Sequence, residues 1–99
     1  MPKFDGVIEA VRYKGGRIDI VRAYERRGPT FSDRVLLDRK TLIDRMQRGK
    51  RFITGQRREY LASTFTVGKP VSLGGQDGKQ VVTTTLPGDQ DLLEGVPAF

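Results

Sequence analysis

Two β-prone runs separated by a glycine pair constrain this chain more than any other feature. Val7 to Tyr13 and Arg17 to Arg26 are rich in Val, Ile and Tyr, and Lys14-Gly15-Gly16-Arg17 lies between them. A Gly-Gly pair suits a two-residue hairpin loop because both positions can take positive φ. With the loop at Gly15-Gly16, Lys14 pairs with Arg17, Tyr13 with Ile18, Arg12 with Asp19, Val11 with Ile20 and Glu9 with Arg22. Two opposite-charge pairs support this register. One face of the ribbon then carries Val7, Val11, Tyr13, Ile18, Ile20 and Tyr24. The other carries Ile8, Ala10, Val21 and Ala23. A ribbon apolar on both faces must be covered twice, which suits a curved sheet or small barrel.

The remaining punctuation extends this reading. Arg27-Gly28-Pro29-Thr30 is a break, and Phe31 to Leu37 reads as a third strand. Asp38 has the place and chemistry of a helix N-cap, with Leu37 and Leu42 at the spacing of a hydrophobic staple. Leu42, Ile43 and Met46 form one apolar stripe, and Gly49 closes the helix. Arg51 to Thr54 and Arg57 to Val67 read as strands around a Gly55-Gln56 turn. Gly68-Lys69-Pro70 reads as a break, and Val71–Leu73 with Lys79–Thr85 as a last hairpin. The expected fold class is α+β: a small, mostly antiparallel sheet or half-open β-barrel of six or seven strands, with one α-helix near residues 39–48. In outline this resembles Sm, SH3-like and OB barrels, with no shared motif. Residues 1–85 form the expected single globular domain. Residues 86–99 are acidic and broken by Gly95 and Pro97, and read as a disordered C-terminal tail.

Composition removes several chemistries. The 99 residues include no Cys, His or Trp. Disulfides, thiolate or imidazole zinc sites, and Ser-His-Asp or Cys-His catalysis are therefore excluded. No carboxylate pair shows acid/base spacing on a readable element, so the chain is expected to be non-catalytic. Gly74-Gly75-Gln76-Asp77-Gly78-Lys79 fails as a phosphate loop: Leu73 stands where the first Gly is needed, Gln80 follows the Lys, and a strand comes next. Asp89, Asp91 and Glu94 lack the spacing of a calcium loop. No cofactor and no metal are expected. No apolar run is long enough to span a bilayer, so no membrane partner is expected and the setting reads as cytoplasmic.

The charge is strongly uneven. Arg39, Lys40, Arg45, Arg48, Lys50, Arg51, Arg57 and Arg58 face only Asp38 and Asp44 in one 21-residue stretch, which carries the whole +6 of the chain. Arginine donates two parallel hydrogen bonds to phosphate, so these eight residues form the candidate polyanion-binding set. Phe52 and Tyr60 flank it as candidates for base stacking. The expected function is a non-catalytic binding module that contacts DNA or RNA backbone with low sequence specificity. A solvated helix face, or a face for an acidic protein partner, would carry the same charges. The alternative is a protein-interaction or assembly subunit whose two-faced hairpin pairs with another copy or a larger partner. The acidic tail, opposite in charge to the basic stretch, could fold over it and compete with that partner. The polyanion reading requires that Arg45 and Arg48 share a surface with Arg51, Arg57 and Arg58.

Overall fold

The computed structural model describes residues 4–28, 30–57, 65–74, 80–84 and 91–99. Its order is β1 (Gly6–Lys14), β2 (Arg17–Arg27), β3 (Thr30–Phe31), β4 (Val35–Asp38), α1 (Arg39–Gln47), β5 (Phe52–Arg57), β6 (Phe65–Gly74) and β7 (Val81–Thr83). This is an α+β fold: a seven-stranded mixed sheet, not closed into a barrel, with one short helix. The sheet runs β3-β2-β1-β5-β6-β7, and β4 also pairs with β2. All these pairings are antiparallel except that of β1 with β5.

The hairpin forms around Gly15 and Gly16, both at positive φ, with Lys14 opposite Arg17 and Tyr13 opposite Ile18. Beyond that its register departs from a regular ladder. Asp19 is an extra residue on β2, so Arg12 faces Ile20 and Val11 faces Val21; Glu9 is an extra residue on β1, which restores the original alignment at Ile8 and Ala23. These two bulges compensate each other. Between them the faces exchange, so Val11 joins Ile8, Val21 and Ala23, while Ala10 lies opposite Arg22. Each unpaired bulge residue still finds its expected charge partner, Arg12 with Asp19 and Arg22 with Glu9. A bulge re-aims a side chain, and here it turns the Glu9 carboxylate toward the Tyr24 hydroxyl at 2.9 Å.

One face of the sheet packs under α1. Ile8, Val11, Ile18, Val21, Leu37, Leu42, Phe52, Val71, Val82 and Leu93 form this main core, with Ile43 and Met46 against it. The helix begins where expected: the Asp38 carboxylate accepts from the Thr41 amide at 2.7 Å, and Gly49 follows its end at φ 89°. The smaller cluster on the opposite face holds Val7, Tyr24 and Ile53, flanked by Phe4 and Phe31.

Four expectations change here. Phe31 to Leu37 is not one strand; it is interrupted where Ser32 exchanges hydrogen bonds with the Glu25 backbone. Gly55-Gln56 is not a turn but lies inside β5, where a Cβ on Gly55 would sit 2.5 Å from the Thr66 carbonyl oxygen. The glycine serves close strand approach instead of reversal. Gly68-Lys69-Pro70 does not break β6, because the ladder shifts register between Ile53 and Gly55. Proline is tolerated at such an irregularity, and the Lys69 amide beside it donates to the Thr54 hydroxyl at 2.9 Å.

The fourth concerns the tail. Within the expected tail of 86–99, residues 91–99 are packed against the sheet, and residues 86–90 lie outside the described residues. Leu92 pairs with the Val82–Thr84 backbone, and Val11 exchanges backbone hydrogen bonds with Pro97 and Phe99. Leu93 is buried in the main core, and its amide donates to the Tyr13 hydroxyl. The apolar side chains among the acidic ones, Leu93 and Val96, give this segment something to bury. The last hairpin pairs Ser72–Gly74 with Val81–Thr83 as expected, and its loop at 75–79 lies outside the described residues.

Candidate functional site

The basic stretch separates in space into three parts. Arg39 points inward. Its guanidinium meets the Asp91 carboxylate at 2.8 and 3.3 Å and also donates to the Gln80 carbonyl oxygen. The Asp91 side chain is 1% exposed and also accepts from the amides of Ile18 and Val82, each at 2.9 Å. Burial pushes the Asp91 carboxyl up, but the Arg39 bond and the two amides outweigh it, and the group is held below its usual range. Arg39 is thus committed to a buried structural pair and is withdrawn from the expected polyanion-binding set.

On one flank of α1, Lys40 joins Lys14 and Arg17 from the hairpin tip around a 560 Å³ groove floored by Ile18 and Ile43. Asp19 and Asp44 share that groove. Lys14 and Arg17 lie outside the basic stretch, and no sequence signal connected the hairpin tip with the helix.

On the other flank, the end of the helix meets the end of β2. Arg26 and Arg27 line a 260 Å³ groove with Arg45 and Lys50. The Lys50 amide donates to the Arg45 carbonyl oxygen at 3.1 Å, which folds the chain after Gly49 back against the helix. Arg51 follows, anchored through its amide to the Asp5 carboxylate at 2.8 Å. Two carboxylates temper this groove, Asp5 and Glu25, and Arg45 is paired with Glu25 at 3.1 Å. Arg48 is exposed and pairs with Asp44 one turn earlier at 3.2 Å. Lys50, Arg51 and Arg27 are exposed and form no ion pair among the described residues. Arg26 and Arg27 are the contributors the sequence reading missed. Their position just before the Gly28-Pro29 break was the available clue, because strand ends gather at one edge of a sheet.

The remaining candidates divide. Arg57 ends β5, while Arg58 and Tyr60 lie outside the described residues. Phe52 is corrected: it is 3% exposed, and its ring lies where a Cβ on Gly6 would approach it to 2.4 Å. A ring enclosed in this way presents no face to a base. The tail does engage the basic stretch, but through the buried Asp91–Arg39 pair, while Glu94 is bonded to Lys69.

The sheet face away from α1 carries a second arginine group. Arg22 and Arg34 converge on Glu9 Oε1 at 2.9 and 2.7 Å, and Arg34 also donates to the Tyr24 hydroxyl. The Arg22 guanidinium lies 5.1 Å from the Phe99 ring centre, and that of Arg26 4.8 Å from the Phe31 ring centre. These are cation–π distances. Such contacts use the arginines to cover apolar rings.

The hairpin of the alternative reading is internal. β1 is flanked by β5 and by Pro97–Phe99, and β2 by β3 and β4. Among the described residues there is no cluster of three or more acidic side chains suited to a metal ion, and no helix is long and apolar enough to cross a membrane. No family model matches the chain, and neither the curated proteins nor the solved structures contain a significant match.

Proposed function

We propose that this protein is a non-catalytic binding module that contacts the phosphate backbone of a nucleic acid through the basic surface at the C-terminal end of α1. A cytoplasmic setting belongs to the same proposal. The observation that carries it is the convergence of Arg27, Arg45 and Lys50 around one groove, also lined by Arg26, whose guanidinium lies over the Phe31 ring. Residues distant in sequence add cations where the helix alone supplies few. Arg48 and Arg51 are exposed as well, and Lys14, Arg17 and Lys40 line a separate groove beside the helix. The contact is electrostatic and indifferent to base sequence.

Fluorescence anisotropy of a labelled oligonucleotide at several salt concentrations tests this reading. Log affinity is expected to fall linearly with log salt, with a slope set by roughly three to five neutralised phosphates. A salt-independent response, or no binding at low salt, removes the proposal.

A further inference from the structure

The two ends of this sheet are finished differently. At the β7 end, Leu92 lies beside the strand: its amide donates to the Val82 carbonyl oxygen, and its own carbonyl oxygen accepts from the Thr84 amide. At the other end, β4 pairs with β2 on one side only, and among the described residues no backbone hydrogen bond occupies its outer edge. Proteins usually protect an open edge with charge, proline or a covering element. The middle of this edge is instead Val35-Leu36-Leu37, and Leu36 is 63% exposed.

The charges around that edge form a self-complementary pattern. Leu36 and Asp38 lie opposite Arg22 and Ile20 of β2, at alternate positions that set both on the side of the ladder away from the main core, and the Asp38 carboxylate also reaches the Thr41 amide of α1. Arg34 is on the same face, because it meets Glu9 and the Tyr24 hydroxyl there, and its side chain is 64% exposed. An antiparallel pair of identical strands centred on Leu36 sets Leu36 against Leu36, Arg34 against Asp38 and Asp38 against Arg34. Moving the centre by one residue loses both charge pairs. Opposite charges directly across a ladder stabilise it, and register in a sheet is set by such patterns. A contact of this kind is closed by a two-fold axis.

The geometry points to β4 as a self-association edge: two copies of this chain join antiparallel through Arg34–Asp38, continuing the sheet across a two-fold axis at Leu36. Five ladder residues and one exposed leucine per copy bury much less than the roughly 1,200 Å² of a stable interface. The association is accordingly weak and concentration-dependent. It does not depend on the nucleic-acid reading.

Sedimentation equilibrium over a wide concentration range is the first test. The expected result is an apparent mass that rises from monomer toward dimer, and a Leu36→Lys variant that stays monomeric over the same range while retaining its circular dichroism and melting temperature. A second test uses the absence of cysteine. Facing Cα atoms in an antiparallel pair lie about 4.5–5.5 Å apart, within reach of a disulfide. A Leu36→Cys variant treated with oxidised glutathione is expected to form a covalent dimer much faster than an Arg17→Cys control at the exposed hairpin tip. A monomer at every concentration, unchanged association in Leu36→Lys, or equal cross-linking of the two cysteine variants would each overturn the inference.

Discussion

The Asp91 carboxylate and the Arg39 guanidinium meet 52 positions apart in sequence and join three elements at one point. Asp91 accepts from β2 at the Ile18 amide, from β7 at the Val82 amide and from the first residue of α1. Every lone-pair direction that matters is used, so the desolvation of both charges is offset by bonds from fixed donors.

Removing this carboxylate leaves a largely buried guanidinium and two interior amides without an acceptor. Breaking one side of a buried pair costs about 3–5 kcal/mol. Asp91→Ala is expected to lose about that much in urea denaturation. Asp91→Asn, which keeps the volume but removes the charge and turns one of the two acceptor oxygens into a donor, should lose nearly as much. A loss below about 1 kcal/mol in both would mean that the pair contributes no more than a surface contact.

The same group gives the acid limb of stability a direction. The carboxyls of Asp91 and Asp38 are held below their usual range, the first against the push of its own burial, the second by hydrogen bonding to the Thr41 amide. A carboxyl lowered on folding stabilises fully above its unfolded pKa of about 3.9, and the contribution is lost as pH falls through the folded value. Melting temperatures are therefore expected to decline below about pH 4. The gap between wild type and Asp91→Asn should narrow over that range. A gap that stays constant into strong acid would contradict the assignment.

Glu9 should prove less costly to lose than Asp91, although it too gathers three donors. Its partners Arg22 and Arg34 are partly in water and can be resolvated; the Tyr24 hydroxyl, which is buried, cannot. Glu9→Ala is expected to destabilise by about 1–3 kcal/mol, the cost of leaving a buried polar group short of a partner. Urea denaturation of the two variants side by side gives the ranking.

Gly55→Ala is expected to destabilise by about 1–3 kcal/mol, the usual range for overpacking, because the added methyl would meet backbone oxygen and the Val7 side chain. Gly15→Ala tests a different limit at a position with open space but positive φ. Thermal melts should show a broader packing defect in the first, visible as altered near-ultraviolet dichroism, and none in the second.

For the basic surface, Arg27→Ala with Lys50→Ala should weaken binding to all oligonucleotides about equally and lower the salt slope by about one per lost contact. Arg39→Ala should act on stability instead of on that slope, since its guanidinium is held by Asp91. If Arg39→Ala reduced the slope while the double variant left it unchanged, the surface at the end of α1 would be the wrong one.

Local chemistry made the hairpin turn, the helix and its caps legible in the sequence. Gly15-Gly16, Asp38 and Gly49 act within a few residues of themselves, and the structure uses each as its type suggests. Gly55 and Pro70 misled because their ordinary meaning is reversal or interruption. Here one admits a neighbouring backbone and the other sits beside a register shift, conditions set by β5 and β6 together. The two bulges were hidden for a related reason, since a regular register gives the same charge pairs. The tail was misread through its net charge: Asp91 is acidic in sequence but interior in space. The candidate site suffered most, because a charge run records neighbours along the chain, whereas Arg26 and Arg27 reach the helix end through the sheet.

The docking of residues 91–99 onto the hairpin has a consequence in time. The Leu93 amide reaches Tyr13 across 80 positions, and ribosomes add about 5–20 residues per second. The hairpin, complete once Arg27 is added, is therefore made roughly 3–13 s before Leu93. During that interval the Val11 edge is without its Pro97 and Phe99 partners, and the Ile18 amide is without Asp91. A ribbon apolar on both faces waits half-covered, which places its period of greatest exposure to chaperones and to aggregation during synthesis and not after it.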